Sequence, residues 1–407
     1  MANSRQLAAQ EVIRRLDGAR FRGQVLAIDA SGTLRYTAPP TELTTVDAKL
    51  DLDISRLDDL LSIRFSASAN ESTRSKDSAS SVKIELRDGS RLRAASVKLN
   101  EERLGLTGGL FRGSLALSID AVGRIVWAEA DSLPPSTDVL WRPSADQDRL
   151  IMRDGDSFRA IAGIVESLDG ERVVLDVDGE QRMLPRARVA ALVFAAPELP
   201  AVPPATRELR LADGSYWKAS RVSLDEHGWT LEAHGWARDA KVELPREAVA
   251  ELAVSSPRLR WLADLTPREA DQRAMLAWPL PWRRDHSVSG GPLTMNGIRF
   301  ARGLGMQAGT RLVFEPPPDA AWFVATLGLD DAARHRGDCV VVVRQDEEQH
   351  EPLARLRLRG GERPRELLVP LVGHKRLTLV VEPGVGFDIG DHVDWGDARL
   401  ILSKSVP

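Results

Sequence analysis

Four Asp-Gly pairs share one flanking pattern, and that pattern restricts the fold more than any other feature of the chain. They are Asp17-Gly18, Asp88-Gly89, Asp154-Gly155 and Asp213-Gly214. Three residues after each glycine stands a large apolar residue: Phe21, Leu92, Phe158 or Trp217. Five residues after it stands a small one: Gly23, Ala94, Ala160 or Ala219. Asp-Gly flanked by alternating apolar residues predicts a β-hairpin, because the tight turn needs positive φ. Each unit also ends alike, with apolar residues spaced by three and then two: Leu60, Ile63, Phe65; Val122, Ile125, Trp127; Val189, Leu192, Phe194; Val249, Leu252, Val254. The spacing of three predicts a single 3₁₀ turn feeding a last strand. Leu184-Pro185 and Leu244-Pro245 precede that strand, where proline suits an entry rather than a centre. Each unit therefore reads as about five short strands, the size of a small SH3-like or Sm-like barrel.

The expected organisation follows. Residues 1–16, with Leu7, Val12, Ile13 and Leu16 at helical spacing, read as an N-terminal arm or short helix. Barrel units are expected at 17–65, 82–130, 148–196 and 207–256. The serine-rich 66–81 stretch, SASANESTRSKDSASS, has no apolar period and reads as a loop. Linkers at 131–147 and 197–206 are marked by proline. After Pro257 the composition changes: Trp261, Trp278 and Trp282 crowd beside Pro267, Pro279 and Pro281. Residues 268–277 read as one or two helical turns. These tryptophans are anchors for the segment, with sugar stacking by Trp278 or Trp282 as the alternative.

Composition excludes several classes. Lys and Arg total 55 against 59 Asp and Glu, so there is no basic surplus for nucleic acid. No apolar run approaches the ~18 residues of a membrane span. The single cysteine, Cys339, sits in a valine run and reads as a buried thiol. Histidines lack metal spacing, and no phosphate loop or Gly-x-Ser-x-Gly elbow occurs.

The C-terminal stretch has three motifs in order. They are Gly303-Leu304-Gly305-Met306, then Leu327-Gly328-Leu329-Asp330-Asp331, then Asp391-His392-Val393-Asp394-Trp395-Gly396-Asp397-Ala398-Arg399-Leu400. This order resembles the NPCBM family of carbohydrate-binding modules. Gln307 stands where that family usually carries a histidine. The resemblance implies a galactose-binding-like, jelly-roll β-sandwich over 257–407, a carbohydrate partner, and export from the cytoplasm. The first 18 residues show no apolar core of signal-peptide length.

Candidate ligand-binding residues are Asp330, Asp331, His392, Asp394, Trp395, Arg399 and Trp282; no catalytic residue is assigned. Asp388, Asp391, Asp394 and Asp397 recur every three residues. In a loop, two or three of them would converge on calcium, which takes six to eight oxygens. Alternatively they cap turns. The metal and any cofactor stay unknown at this point. Asp330 and Asp331 form an acidic turn, one of them expected on Arg399 or Arg336, rather than a glycosidase pair across a cleft. Trp395 reads as core, with an exposed sugar platform as the alternative. Trp217, Trp229 and Trp236 crowd the fourth unit, as barrel core or as a partner-binding patch.

The chain thus reads as all-β: tandem small barrels, then a sandwich. It is expected to be a non-enzymatic binding protein for carbohydrate, with protein partners possible on the barrels and no nucleic-acid partner. Its alternatives are a protein-interaction scaffold without glycan binding, or an accessory part of a glycoside hydrolase system.

Overall fold

In the computed structural model of the protein, the four Asp-Gly pairs turn hairpins as their flanks predict. The structure describes residues 11–37, 41–44, 53–65, 82–100, 102–127, 139–155, 157–196, 205–237, 240–273, 275–276, 278–333, 336–345, 351–371, 373, 375–385 and 387–403. Gly18, Gly89, Gly155 and Gly214 all take positive φ, from +61 to +96°. At three of the turns the aspartate also accepts a backbone N–H two residues on: Ala19 to Asp17 at 3.0 Å, Ser90 to Asp88 at 2.8 Å, and Ser215 to Asp213 at 2.8 Å. The regular elements among the described residues are strands and three-residue 3₁₀ turns, so the chain is all-β. No helix among them is long and apolar enough to cross a membrane.

The described residues form two compact units. The first holds Glu11–Arg14 and the residues from Arg20 to Ser255, apart from 45–52; the second holds the Arg15–Ala19 turn and the residues from Ser256 on. In the first unit the predicted 3₁₀ turns are present at Leu57–Asp59, Ile119–Ala121, Arg186–Arg188 and Arg246–Ala248. Each runs straight into its last strand: Leu60–Arg64, Val122–Val126, Val189–Val193 or Val249–Val254. The apolar residues that flagged these strands are buried, including Ile63, Ile125, Leu192 and Leu252, each 0% exposed.

Two expectations about this unit are corrected. Glu11–Arg15 is not a helix or a free arm but a strand, paired antiparallel with Arg20–Gly23. Its alternate residues Glu11 and Ile13 are buried, a period of two that a five-residue window cannot separate from helical spacing. It is the first strand of the first repeat, which therefore begins before Asp17. The repeats are also not separate barrels. Glu180–Pro185 pairs with Arg172–Val177, and Lys241–Leu244 with Gly228–Ala233. The last strands pair with each other instead. Ile125 lies opposite Leu192, and Ile63 opposite Leu252. These are equivalent positions in antiparallel strands, so a local two-fold axis relates repeats two and three, and another relates repeats one and four. Such pairing removes an edge that an open barrel would leave unprotected.

The 66–81 stretch lies outside the described residues, as do 197–204 and 128–138. Strands begin at Val82, Asp148 and Arg207. In the fourth repeat Trp217 and Trp229 are core residues, 1% exposed. Trp229 donates from Nε1 to the Arg246 carbonyl at 3.1 Å and meets Phe65 edge-on.

The second unit is a β-sandwich. One sheet runs Arg283–Arg284, Gly303–Gln307, His392–Leu402, Ala320–Leu329, Arg365–Pro370, with Leu259–Trp261 also on His392–Leu402. The other runs Glu269–Gln272, Thr310–Phe314, Leu377–Pro383, Asp338–Gln345, Ala354–Arg359. Glu269–Gln272 is thus a strand where helical turns were expected, because its pairing with Thr310–Phe314 supplies hydrogen bonds that local spacing does not reveal. Leu304, Met306, Phe314, Phe323, Leu379 and Trp395 belong to one buried cluster. A small hairpin, Leu293–Met295 with Ile298–Phe300, has its own cluster of Leu293, Met295 and Phe300. It packs where the sandwich has glycines: a Cβ on Gly396 would lie 2.6 Å from the Phe300 ring, and one on Gly328 would lie 2.8 Å from Met295 Sδ.

Candidate functional site

The strand His392–Leu402 starts, and Ala320–Leu329 ends, at the same end of the first sheet, since Leu329 lies opposite Val393. That register brings Asp330, Asp331, His392 and Asp394 together. The pleat sends adjacent residues to opposite faces, so the two neighbouring aspartates serve different groups. Asp330 is buried and accepts the Ser287 hydroxyl, with the Ser289 hydroxyl at 3.3 Å from the same oxygen. Asp331 accepts the backbone N–H groups of Asn296 and Gly297 at 2.7 and 2.8 Å. The partners of both carboxylates among the described residues are thus hydroxyls and backbone amides, where a bond with Arg399 or Arg336 was expected.

Asp394 is fully buried; its Oδ2 accepts the Thr294 N–H at 3.0 Å and its Oδ1 has no hydrogen-bond partner among the described residues. Burial, reinforced by the Asp330 charge, pushes its carboxyl up to about 8. Asp391 Oδ1 accepts the Asp338 N–H at 2.7 Å, and burial pushes that carboxyl up to about 6. Burial also lowers the His392 imidazole below its usual value, with Asp330 opposing, so the neutral ring is favoured at pH 7.

The four aspartates spaced by three do not converge on one point. Asp388 accepts the N–H groups of Met275 and Leu276. Asp391 holds Asp338, and Asp394 holds Thr294. Asp397 has φ +51° and takes the Arg302 carbonyl through its own N–H. Among the described residues no group of three His, Cys, Asp or Glu is arranged to hold a metal ion. The carboxylates of Asp388, Asp391 and Asp394 hold backbone N–H groups, as the turn-capping alternative expects.

The remaining candidates make other contacts. Trp395 is fully buried, its ring 6.2 Å from Phe323, and so packs as core with no face open to a ligand. Arg399 is 1% exposed and donates to the carbonyls of Leu16 and Asp397. Trp282 is half-buried against the sandwich core, with the Arg284 guanidinium 5.4 Å from its ring. Trp278, by contrast, is 84% exposed. Gln307 is fully buried; its Oε1 accepts the Leu280 N–H at 2.7 Å and so ties down the loop that carries Trp278. Sequence reasoning missed the exposed Val385, Phe387 and Ile389. The signal was available: three large apolar residues within Gly384-Val385-Gly386-Phe387-Asp388-Ile389-Gly390, a run too rich in glycine to be a strand.

Comparison with known proteins bears on the second unit. A Renibacterium salmoninarum protein named "Putative endo-alpha-N-acetylgalactosaminidase" is 27% identical over 119 residues, 29% of this chain. The chain spans 8% of that relative's length. Among solved structures, the CBM51 module from Clostridium perfringens GH95 in complex with methyl-galactose is 23% identical, with a TM-score of 0.31, over 35% of this chain and 99% of that one. CBM51-2 with the INT domains of Clostridium perfringens ZmpB, in complex with GlcNAc, is 21% identical with a TM-score of 0.33, over 43% of this chain and 37% of that one. Residues 258–401, the sandwich of the second unit, match the NPCBM/NEW2 domain family, in keeping with the three motifs that run through it.

Proposed function

We propose that the second unit binds carbohydrate without catalysis and that the repeats of the first unit serve as spacer or interaction scaffold. The observation that carries this reading is the coincidence of the NPCBM/NEW2 match, residues 258–401, with a complete two-sheet sandwich. The non-catalytic part is supported by how the acidic groups are used. A glycosidase needs two carboxyls facing each other across a cleft, one as acid and one as base or nucleophile. Asp330 and Asp331 instead hold hydroxyls and backbone amides of residues 287–297. A second reading, an accessory part of a glycoside hydrolase system, is favoured by the name of the Renibacterium relative.

A glycan array probed with the full chain tests the proposal, followed by product analysis on every glycan retained. Retention without bond cleavage is the expected result. An array with no retained glycan overturns the binding reading, and release of free sugar overturns the non-catalytic one.

A further inference from the structure

Two loops at one end of the sandwich concentrate exposed apolar side chains. The first carries Met275, Leu276 and Trp278, and the second carries Val385, Phe387 and Ile389; all six are more than half exposed. The Asp388 carboxylate joins the loops, since Met275 N–H reaches its Oδ2 at 2.7 Å and Leu276 N–H its Oδ1 at 2.9 Å. Phe387 has φ +63°, a left-handed conformation that is strained for a bulky residue. Strain of this kind persists where the surroundings fix it, and it gathers at ligand sites. Here a bridge between Gly384 and Phe387 closes the turn that fixes it. Gln307, buried beneath the first loop, has an amide nitrogen with no acceptor among the described residues. A buried donor left open is costly.

Charge selects among occupants. Residues 275–280 and 384–391 contain no lysine or arginine, and their two charged residues, Asp388 and Asp391, are each 1% exposed. An anionic lipid surface or a nucleic acid needs cations that these loops lack. A neutral pyranose fits: one face of its ring is a sheet of C–H bonds that packs on aromatic and aliphatic side chains. We propose that Met275, Leu276, Trp278, Val385, Phe387 and Ile389 form the sugar-stacking face of the second unit. A neutral hexose or N-acetylhexosamine lies on the Trp278 and Phe387 rings, with the aliphatic residues as its rim. This rests on the carbohydrate-binding reading and adds to it the place and the ligand class.

The test uses the full chain, the glycans retained on the array, and calorimetric titration with methyl-galactose and N-acetylglucosamine. Trp278→Ala and Phe387→Gly are compared with Trp282→Ala. Both first variants remove exposed side chains, and glycine relieves the left-handed φ, so their melting curves should match the wild type. Each should weaken glycan binding by about tenfold or more, as loss of a central aromatic anchor does. Trp282→Ala should lower the melting temperature and leave affinity within about twofold, because Trp282 packs on the core. If the wild type binds a glycan and both loop variants bind it equally well, the face lies elsewhere and the carbohydrate reading stands. If the wild type binds none, both fall. Loop-dependent binding to phosphatidylcholine vesicles without glycan binding would make this a lipid face and overturn the proposal.

Discussion

The two units use aspartate in opposite ways. In the first, most aspartates act locally and at the surface. Asp88, Asp213 and Asp225 each accept an N–H two residues ahead, and Asp29 holds Ser31 and Thr33. In the second, three buried aspartates act across the chain: Asp330 reaches 43 residues back, Asp394 100 and Asp388 113, although buried Asp17 holds Ala19 two residues on. The first unit has exceptions: buried Asp148 holds Val165 and Ala195, buried Asp59 holds the Asp53 N–H, and Asp58 takes Arg207 from 149 residues away. The titrations diverge accordingly. The Ser31 hydroxyl holds exposed Asp29 below the usual carboxylate range, whereas burial drives Asp394 and Asp391 above it. A turn aspartate shapes the strand pair beside it. A buried one fastens a loop whose own sequence would not keep it in place.

The largest expected effect lies in the core of the second unit. Trp395→Ala removes a fully buried indole packed near Phe323 and should cost ~3–5 kcal/mol. Chemical denaturation of the full chain, followed by a probe in the second unit, measures this. A loss under about 1 kcal/mol would mean that the sandwich does not depend on its buried signature. Next is Asp388→Ala. It leaves the Met275 and Leu276 amides without their partner and should cost about 2–3 kcal/mol, with faster hydrogen exchange at both. Unchanged exchange there would remove the contrast between long-range and local carboxylates.

That contrast also explains what was legible beforehand. The Asp-Gly turns, the 3₁₀ turns and the last strands are local, and a few residues encode each of them. Ile63, Ile125, Leu192 and Leu252 stand out by spacing as last-strand residues, and they are buried. Their pairing across repeats one and four, and two and three, could not be read, because an apolar strand edge looks the same whatever it meets. The repeats were therefore expected as separate small barrels, whereas their last strands join in pairs. In the sandwich, three motifs pointed to the fold and gathered Asp330, Asp331, His392 and Asp394. Their partners, Ser287, Thr294, Asn296 and Gly297, lie tens of residues away in an unremarkable stretch. Spacing shows the carboxylates and hides the amides that Asp388, Asp391 and Asp394 hold.

A pH titration sharpens the comparison next. Asp394 has its carboxyl raised from 3.8 to about 8 in the folded protein, so the folded state holds a proton that the unfolded chain gives up near pH 4. Asp330 and Asp331 face it as charges, the Thr294 N–H donates to it, and the Ser287 hydroxyl lies beside it. The contribution to stability is full below the unfolded value and is lost as pH rises through about 8. Between pH 7 and 9 the second unit should lose about 1.4 kcal/mol, and the Asp394→Asn variant, neutral throughout, should lose less. A flat profile in the wild type would show that Asp394 is ionised at neutral pH despite its burial.

The smallest effect belongs to the first unit, and its smallness is the point. Asp213 Oδ1 accepts the Ser215 N–H at 2.8 Å, within a turn whose Gly214 already takes φ +84°. The glycine sets the backbone, and the Gly214 N–H bonds the Leu211 carbonyl without help from the aspartate. Asp213→Ala therefore removes one short-range hydrogen bond and should cost about 0.5–1.5 kcal/mol. Gly214→Ala should cost more, because alanine resists positive φ. Equilibrium unfolding of both variants gives the two values. If Asp213→Ala proved as damaging as Asp388→Ala, the turn aspartates would be anchors like those of the second unit. The sequence repeat would then mark sites of tertiary fastening rather than places where the chain reverses.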